Sequence, residues 1–354
     1  MSEGRFLHIH EQVAAHLRTQ LQNGRWTETM PGRNQLVKML EVSGKTVDLA
    51  LHQLESEGLL QAQGAGRRRK ITLPKGEVGH PAMRVCILCY ERPDFGRKYE
   101  MELKFRLEDA GHEVSFAQKS LCEMGMKVDR VEQLVKTTSA DAWIVCSGSK
   151  DILKWFSEQK IQVFALFGRR EGLPIAGASP RKIPAMHQAV DEMVSQGHQR
   201  IVMMAREERR HPYPADYEQA FLDRLSHHGI EPGSYNLPDW MDSRAGFHEC
   251  LKRLFKLTPP TAILVCEPQL FMATMQHIGK LGIHAPGQIS LFVDDPEPAF
   301  LWCDPVISHT DWDSQPIMRR VVQWVRHIAQ GREDIQQRSY SARFVRGGTI
   351  GPVR

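Results

Sequence analysis

No run in these 354 residues approaches the ~18 consecutive apolar positions that a membrane-spanning helix needs, so no such span is expected. The opening stretch MSEGRFLHIHEQVAAHLRTQL lacks a basic segment followed by an apolar one, and no secretory signal is read there. A dominant charge is also missing. The 46 Lys and Arg stand against 42 Asp and Glu, and the net +4 permits an anionic partner without demanding one. The cysteines do not pair off. Cys86, Cys89, Cys122, Cys146, Cys250, Cys266 and Cys303 are odd in number and several lie in apolar runs, as expected of free thiols in a reducing cytoplasm. Cys86 and Cys89 form a C-x-x-C inside RVCILCY, but a strand sends them to opposite faces, which argues against a shared redox or zinc role. Catalytic signatures are lacking: there is no G-x-S-x-G elbow, no P-loop and no H-E-x-x-H, and GAGRRRK has neither a third glycine nor a following helix. His8/His10 and His227/His228 have no Cys or carboxylate at ligand spacing. The chain is therefore read as a non-enzyme without metal or cofactor.

What is present is an ordinary globular composition, 41% hydrophobic and 25% charged, in a chain too long for one core, since cores rarely grow past ~250–300 residues. Three regions are expected: 1–73, a linker at 74–83 with Pro, Gly and no periodicity, and 84–354. In the first, Val13, Leu17 and Leu21 recur at helical spacing. A short helix follows Pro31-Gly32, with Leu36, Met39 and Leu40 inward. After the turn Glu41-Val42-Ser43, a third helix carries Val47, Leu51 and Leu54 and stops at Gly58, with Ser43 suited to cap it. LLQAQGAGRRRKITL then reads as a hairpin with a basic tip around Gly64-Ala65-Gly66. Helix, short helix, turn, helix and basic hairpin make the layout of a winged helix-turn-helix, whose capped helix suits the major groove and whose wing suits phosphates or the minor groove.

The run HEQVAAHLRTQLQNGRW…MPGRNQLVKMLEVSGKTVDLALHQLESEGLLQAQGAGRRRKI resembles the N-terminal domain of GntR-type bacterial regulators over roughly residues 6–73. The framework of that family is kept and its contact positions are changed. A Ser-Glu-Arg-Glu run usually opens the second helix, and here it reads Gly32-Arg33-Asn34-Gln35. Arginines usually follow the capping residue and recur four positions on, where this chain has Gly44 and Asp48. The resemblance implies DNA contacts from Arg33, Asn34, Ser43, Gly44, Lys45, Thr46, Gly66, Arg67, Arg68 and Arg69. Asp48 either accepts from a cytosine amine or pairs with a neighbouring Arg or Lys, and repulsion from phosphates favours the second.

Beyond residue 83 apolar strand-like runs alternate with helical periods: MRVCILCY, 97–110, HEVSFAQ, VDRVEQLVKTT, ADAWIVCS, KDILKWFSEQK and IQVFALFG. After REGLPIAGASP the alternation restarts, through QRIVMMA and PTAILVCE to QISLFVDD. This predicts an α/β fold with parallel sheets in two tandem lobes. MVSQGHQRIVMMA, PTAILVCEPQLFMATMQHIGKLGIHAPGQISLFVDD and DPVISHTDWD resemble the effector domain of LacI-type regulators, which has the fold of periplasmic sugar-binding proteins. That likeness spans about residues 83–350, and the combination is similar to pentose-responsive repressors of the arabinose-repressor type.

Ligands of open α/β sheets bind beyond the carboxyl ends of strands. That rule selects Tyr90, Asp94, Ser147 and Arg169 from the first lobe, and Asp216, Tyr217, Trp240, Asp242, Glu267, Asp294 and Asp295 from the second. The arginine with which the family clamps sugar hydroxyls is missing near Tyr217, and Arg209 or Arg210 is available instead. The resemblance implies a homodimeric repressor that binds a palindromic operator in double-stranded DNA and takes a carbohydrate between its lobes. The competing reading is a small-molecule binding protein or enzyme on the same fold with a vestigial N-terminal domain.

Overall fold

The computed structural model describes residues 8–22, 25–26, 28–64, 67–72, 81–92 and 98–353. Gly66, Asp94 and most of the expected linker lie outside them. The chain opens with α1 (Ile9–Gln22), α2 (Arg33–Leu40) and α3 (Gly44–Ser56), then the antiparallel pair β1 (Leu60–Gln61) and β2 (Lys70–Ile71). Thr29 bridges Lys70 and adds a third short contact to this wing. Leu17, Leu21, Leu36, Val47, Leu51 and Leu54 are fully buried together, as their spacing predicts. Met39 departs from the expectation: it is 38% exposed, because Leu36 alone of that helix reaches the centre. Glu41 takes a left-handed conformation (φ 52°) to make the sharp turn, and the Ser43 hydroxyl caps α3 by accepting from Thr46 N at 3.1 Å.

The first lobe runs through β3 (Arg84–Leu88), α4 (Lys98–Asp109), β4 (Glu113–Phe116), α5 (Val128–Thr137), β5 (Ala142–Cys146), α6 (Lys150–Glu158), β6 (Gln162–Leu166) and β7 (Ala176–Arg181). The second follows with α7 (Ile183–Ser195), β8 (Ile201–Met204), the one-turn α8 (Glu207–Arg210), α9 (Asp216–His227), α10 (Arg244–Leu257), β9 (Ala262–Val265), α11 (Pro268–Lys280), β10 (Ser290–Val293) and β11 (His309–Trp312). α12 (Ser314–Ala329) and β12 (Gln337–Val345) end the fold. One sheet runs in the order β4-β3-β5-β6-β7-β12-β11-β10-β9-β8, parallel except between β11 and β12. Helices cover both faces, so strands such as Ala142–Cys146 and Ser290–Val293 are buried at every position. Cys86 and Cys89 belong to the apolar clusters on opposite faces of the first lobe.

The lobes are not simply tandem. α12 returns to the first lobe, where Ile317, Met318, Val321 and Trp324 pack with Phe164 and Leu103. β12 is shared: Gln337–Ser341 pairs with β7 and Ala342–Val345 with β11. AGASPR, read in the sequence as part of a break between lobes, is β7.

Candidate functional site

At the exposed end of α3 the side chains that can face a groove are few. Asn34, Lys45, Arg67 and Arg68 are exposed. The Thr46 hydroxyl is tied to that of Ser43 at 2.8 Å. Arg69 turns back, with Nε 2.5 Å from Glu55 Oε1, and so braces the wing on α3 where the sequence reading had it meeting DNA. Arg33 reaches from α2 to α3 and donates through Nε to both Asp48 oxygens at 3.0 and 2.9 Å. Asp48 is therefore paired with an arginine, the second of its two readings. Both partners are nearly half exposed, and such a pair adds only about 0–1 kcal/mol to stability.

The second candidate site lies between the lobes, beyond the carboxyl ends of β3, β5, β6, β8 and β9. A cavity of ≈210 Å³ is lined there by Tyr90, Ser147, Arg169, Lys182, Glu208, Arg209, Asp216, Tyr217, Glu218, Glu267, Asp295, Phe167 and Trp312, among others. Its wall is strained where the strands end. Ser147 and Phe167 sit at φ 55° and 63°, which side-chain-bearing residues rarely adopt, and such strain gathers at functional sites. Gly168 (φ 75°) is needed because a Cβ there would fall 2.7 Å from Gly148 O, so the two turns stack backbone on backbone.

Arg206, which follows β8 almost directly, is the hub of the cleft. It donates to Glu267 from Nε (3.0 Å) and Nη2 (3.1 Å), to Asp242 from Nη1 (2.9 Å) and to Glu91 from Nη2 (2.8 Å). Its guanidinium also lies 5.0 Å from the centre of the Tyr90 ring. Tyr90 OH donates to Asp242 Oδ2 at 2.5 Å and lies 3.2 Å from Glu208 Oε2. Tyr90 and Glu91 belong to the first lobe and Arg206, Glu208, Asp242 and Glu267 to the second, so this network bridges the cleft. Arg169 adds a further bridge, donating to the carbonyls of Glu208, His211 and Tyr213 at 3.2–3.4 Å. Burial alone would lower the Arg206 pKa, but the Glu267 carboxylate more than offsets it and the charge is held firmly. Burial beside Glu267 and Asp242 pushes the Glu208 carboxyl up to about 7.

Of the residues expected to face a ligand, Tyr90, Ser147, Arg169, Asp216, Tyr217, Glu267 and Asp295 line this cavity. Asp242 lines the adjoining one, of ≈530 Å³. Trp240 must be corrected. It is buried edge-on against Phe247 behind the cleft, with Arg210 over its ring. Arg210 serves that core as well, donating to the Trp240 carbonyl at 2.7 Å, and it is Arg209 that reaches the cavity, paired with Glu218 at 2.6 Å. Asp294 is also corrected: it is fully buried and accepts from Thr310 Oγ1 at 2.9 Å. With Asp295 it holds Lys182, and Trp312 Nε1 donates to Asp295 at 3.0 Å, so both aspartates tie together two passages of the chain between lobes. Sequence reasoning missed Arg206, Glu208, Lys182, Glu218 and the ring of Trp312. The first two follow β8 and were open to the same strand-end rule; the others reach the cavity through tertiary packing. Cys89, Glu100 and Cys146 also gather, buried, within 4.8 Å of one another. The hydrogen bond with Cys146, and burial after it, raise the Cys89 pKa, and Cys89 stays a thiol.

Two family models match. Residues 9–67 fit the bacterial regulatory proteins of the gntR family and residues 190–350 the periplasmic binding protein-like domain. The chain thus joins a domain of the gntR family at its N-terminus to a periplasmic-binding-protein-like domain. It resembles several solved structures in fold. One, from Yersinia pestis biovar Microtus str. 91001 and provisionally assigned as a transcriptional regulator, is 21% identical at a TM-score of 0.60, over 77% of this chain and 99% of that one. A LacI-family regulator from Enterococcus faecium with bound ribose is 14% identical at a TM-score of 0.58, over 77% and 100%. The complex of the transcriptional regulator CelR with cellobiose is 12% identical at 0.61, over 90% and 100%. Identities this low speak for the regulator's fold alone. No curated protein matches its sequence significantly.

Proposed function

We propose that the chain is a cytoplasmic, ligand-responsive repressor. As a homodimer it binds a palindromic operator in double-stranded DNA and takes a small carbohydrate between its lobes. The observation that carries this reading is the ≈210 Å³ cavity walled by both lobes, in the same chain as a capped helix and a basic wing. The cavity is smaller than a drug-sized pocket of about 300–1,000 Å³ and suits a small polar metabolite. Carboxylates and Arg169 can bond hydroxyls bidentately, while Phe167 and Trp312 offer apolar faces to a sugar ring. In the reader, Arg33, Asn34 and Lys45 face the groove beside the Ser43 cap, and Arg67 and Arg68 meet phosphates. A ligand that favours one lobe arrangement shifts DNA affinity through the difference it senses, typically about 5–150-fold in such couplings.

The test has two arms on the full chain. Gel shifts with mixed-sequence duplex DNA should weaken as salt rises, with a log–log slope near −0.9 for each phosphate contacted. Replacing Arg67 and Arg68 together by Ala should flatten that slope by roughly 2 such contacts. No binding to duplex at low ionic strength, with or without sugars, would end the proposal. In the second arm, pentoses, hexoses and sugar acids are screened by thermal shift. A ligand at about 100 times its Kd should add about 2.7 kcal/mol, and a flat screen would remove the carbohydrate from the reading.

A further inference from the structure

The Arg33–Asp48 pair holds more than its weak contribution to stability explains. Arg33 opens α2 but lies across the first turn of α3, fixed by Asp48 through Nε alone. Nη1 and Nη2 have no hydrogen-bond partner among the described residues. The guanidinium occupies the volume of the side chain that Gly44 lacks, since a Cβ built there would fall 2.0 Å from Nη2 and 2.5 Å from Cζ. Glycine is a poor helix former, and an acid on a DNA-facing helix is repelled by phosphates. Each choice taken alone is unfavourable. Together they make room for one arginine and aim it.

We propose that Arg33, lying in the space left by Gly44 and oriented by Asp48, reads a guanine edge in the major groove. It does so in place of the arginines missing from α3 at Gly44 and Asp48. The free Nη1/Nη2 edge matches the paired O6 and N7 acceptors of guanine, which arginine binds bidentately. The carboxylate keeps the fork in place before DNA arrives, so less side-chain freedom is lost on binding. In the complex Asp48 stays neutralised by Arg33, which removes the repulsion it would otherwise meet. This inference rests on the DNA-binding reading above.

The experiment is a selection from a randomised duplex library, with the full chain and three variants, each checked for folding by thermal melting. The wild type should enrich a two-fold symmetric motif containing a guanine in each half. Arg33→Ala should lower the preference for that guanine by about tenfold and leave the rest of the motif in place. Gly44→Ala keeps every charge and favours the helix, yet should reproduce the loss, because its methyl group displaces the guanidinium. Asp48→Ala should retain the guanine with discrimination reduced severalfold. An Arg33→Ala motif identical to the wild type, or a uniform loss of affinity at every position, would overturn the assignment, the latter by making Arg33 a phosphate contact. A Gly44→Ala motif like the wild type would overturn it too. A wild type that ignores duplex DNA altogether would instead overturn the DNA-binding reading, and this inference with it.

Discussion

Two arginine–carboxylate clusters in this chain use the same chemistry in opposite surroundings. Arg33 and Asp48 leave 49% and 40% of their side chains in solvent, whereas Arg206 and Glu267 leave 7% each. Water screens the first pair, so it can exchange partners at little cost and is available to a third molecule. The second cannot be unpaired without leaving a charge in a medium of low dielectric, so it fixes the guanidinium that reaches across to Glu91 and Tyr90 of the first lobe. A surface pair is thus suited to reading and a buried one to anchoring the bridge between lobes.

The sharpest way to break that contrast is Arg206→Ala. It leaves Glu267 buried without its main partner, and denaturant unfolding should show a loss of about 3–5 kcal/mol. A loss under about 1 kcal/mol would mean that the cleft network is as solvent-like as the surface pair. The next test concerns Glu208, whose carboxyl is raised from 4.5 to about 7 by burial. A raised acid stabilises the folded chain fully below its unfolded pKa, and that stabilisation is lost as pH climbs from about 4.5 through about 7. Glu208→Gln should therefore gain on the wild type between pH 5 and pH 8, by on the order of 3 kcal/mol in unfolding free energy. Parallel curves would place Glu208 in water. The smallest effect is expected of Asp48→Ala, which should change stability by no more than about 1 kcal/mol in the same assay while altering base preference in the selection. A large destabilisation there would make the pair structural and erase the contrast.

Much of this arrangement was open to reading in advance, for definite reasons. VCIL, AWIVC, VFAL and LFV are apolar throughout because helices cover both faces of the sheet, and continuous runs of this kind announce buried parallel strands. Ser43 before a helical period announces a cap. AGASPR announced nothing: its residues are small, Pro180 cannot donate, and its place as β7 depends on β6 and on a β12 more than 150 residues further along. The return of α12 to the first lobe is equally invisible, because hydrophobic spacing shows that a face is buried but not against what. At the cleft, the strand-end rule reached Tyr90, Arg169 and Glu267. It failed at Trp240, whose indole packs on Phe247, and at Asp294, which lies one residue behind the wall that Asp295 faces. Sequence places a residue at the end of a strand, while packing decides which way it turns.

The strand that both lobes share limits how they can rearrange. Five residues of β12 are registered against β7 and the next four against β11, so sliding one lobe past the other would tear a whole ladder of backbone bonds. Twisting about the step from Ser341 to Ala342 leaves both ladders whole. Whatever occupies the cleft is therefore converted into torque about that step, and the amides on either side of it are where deuterium uptake should register its arrival first.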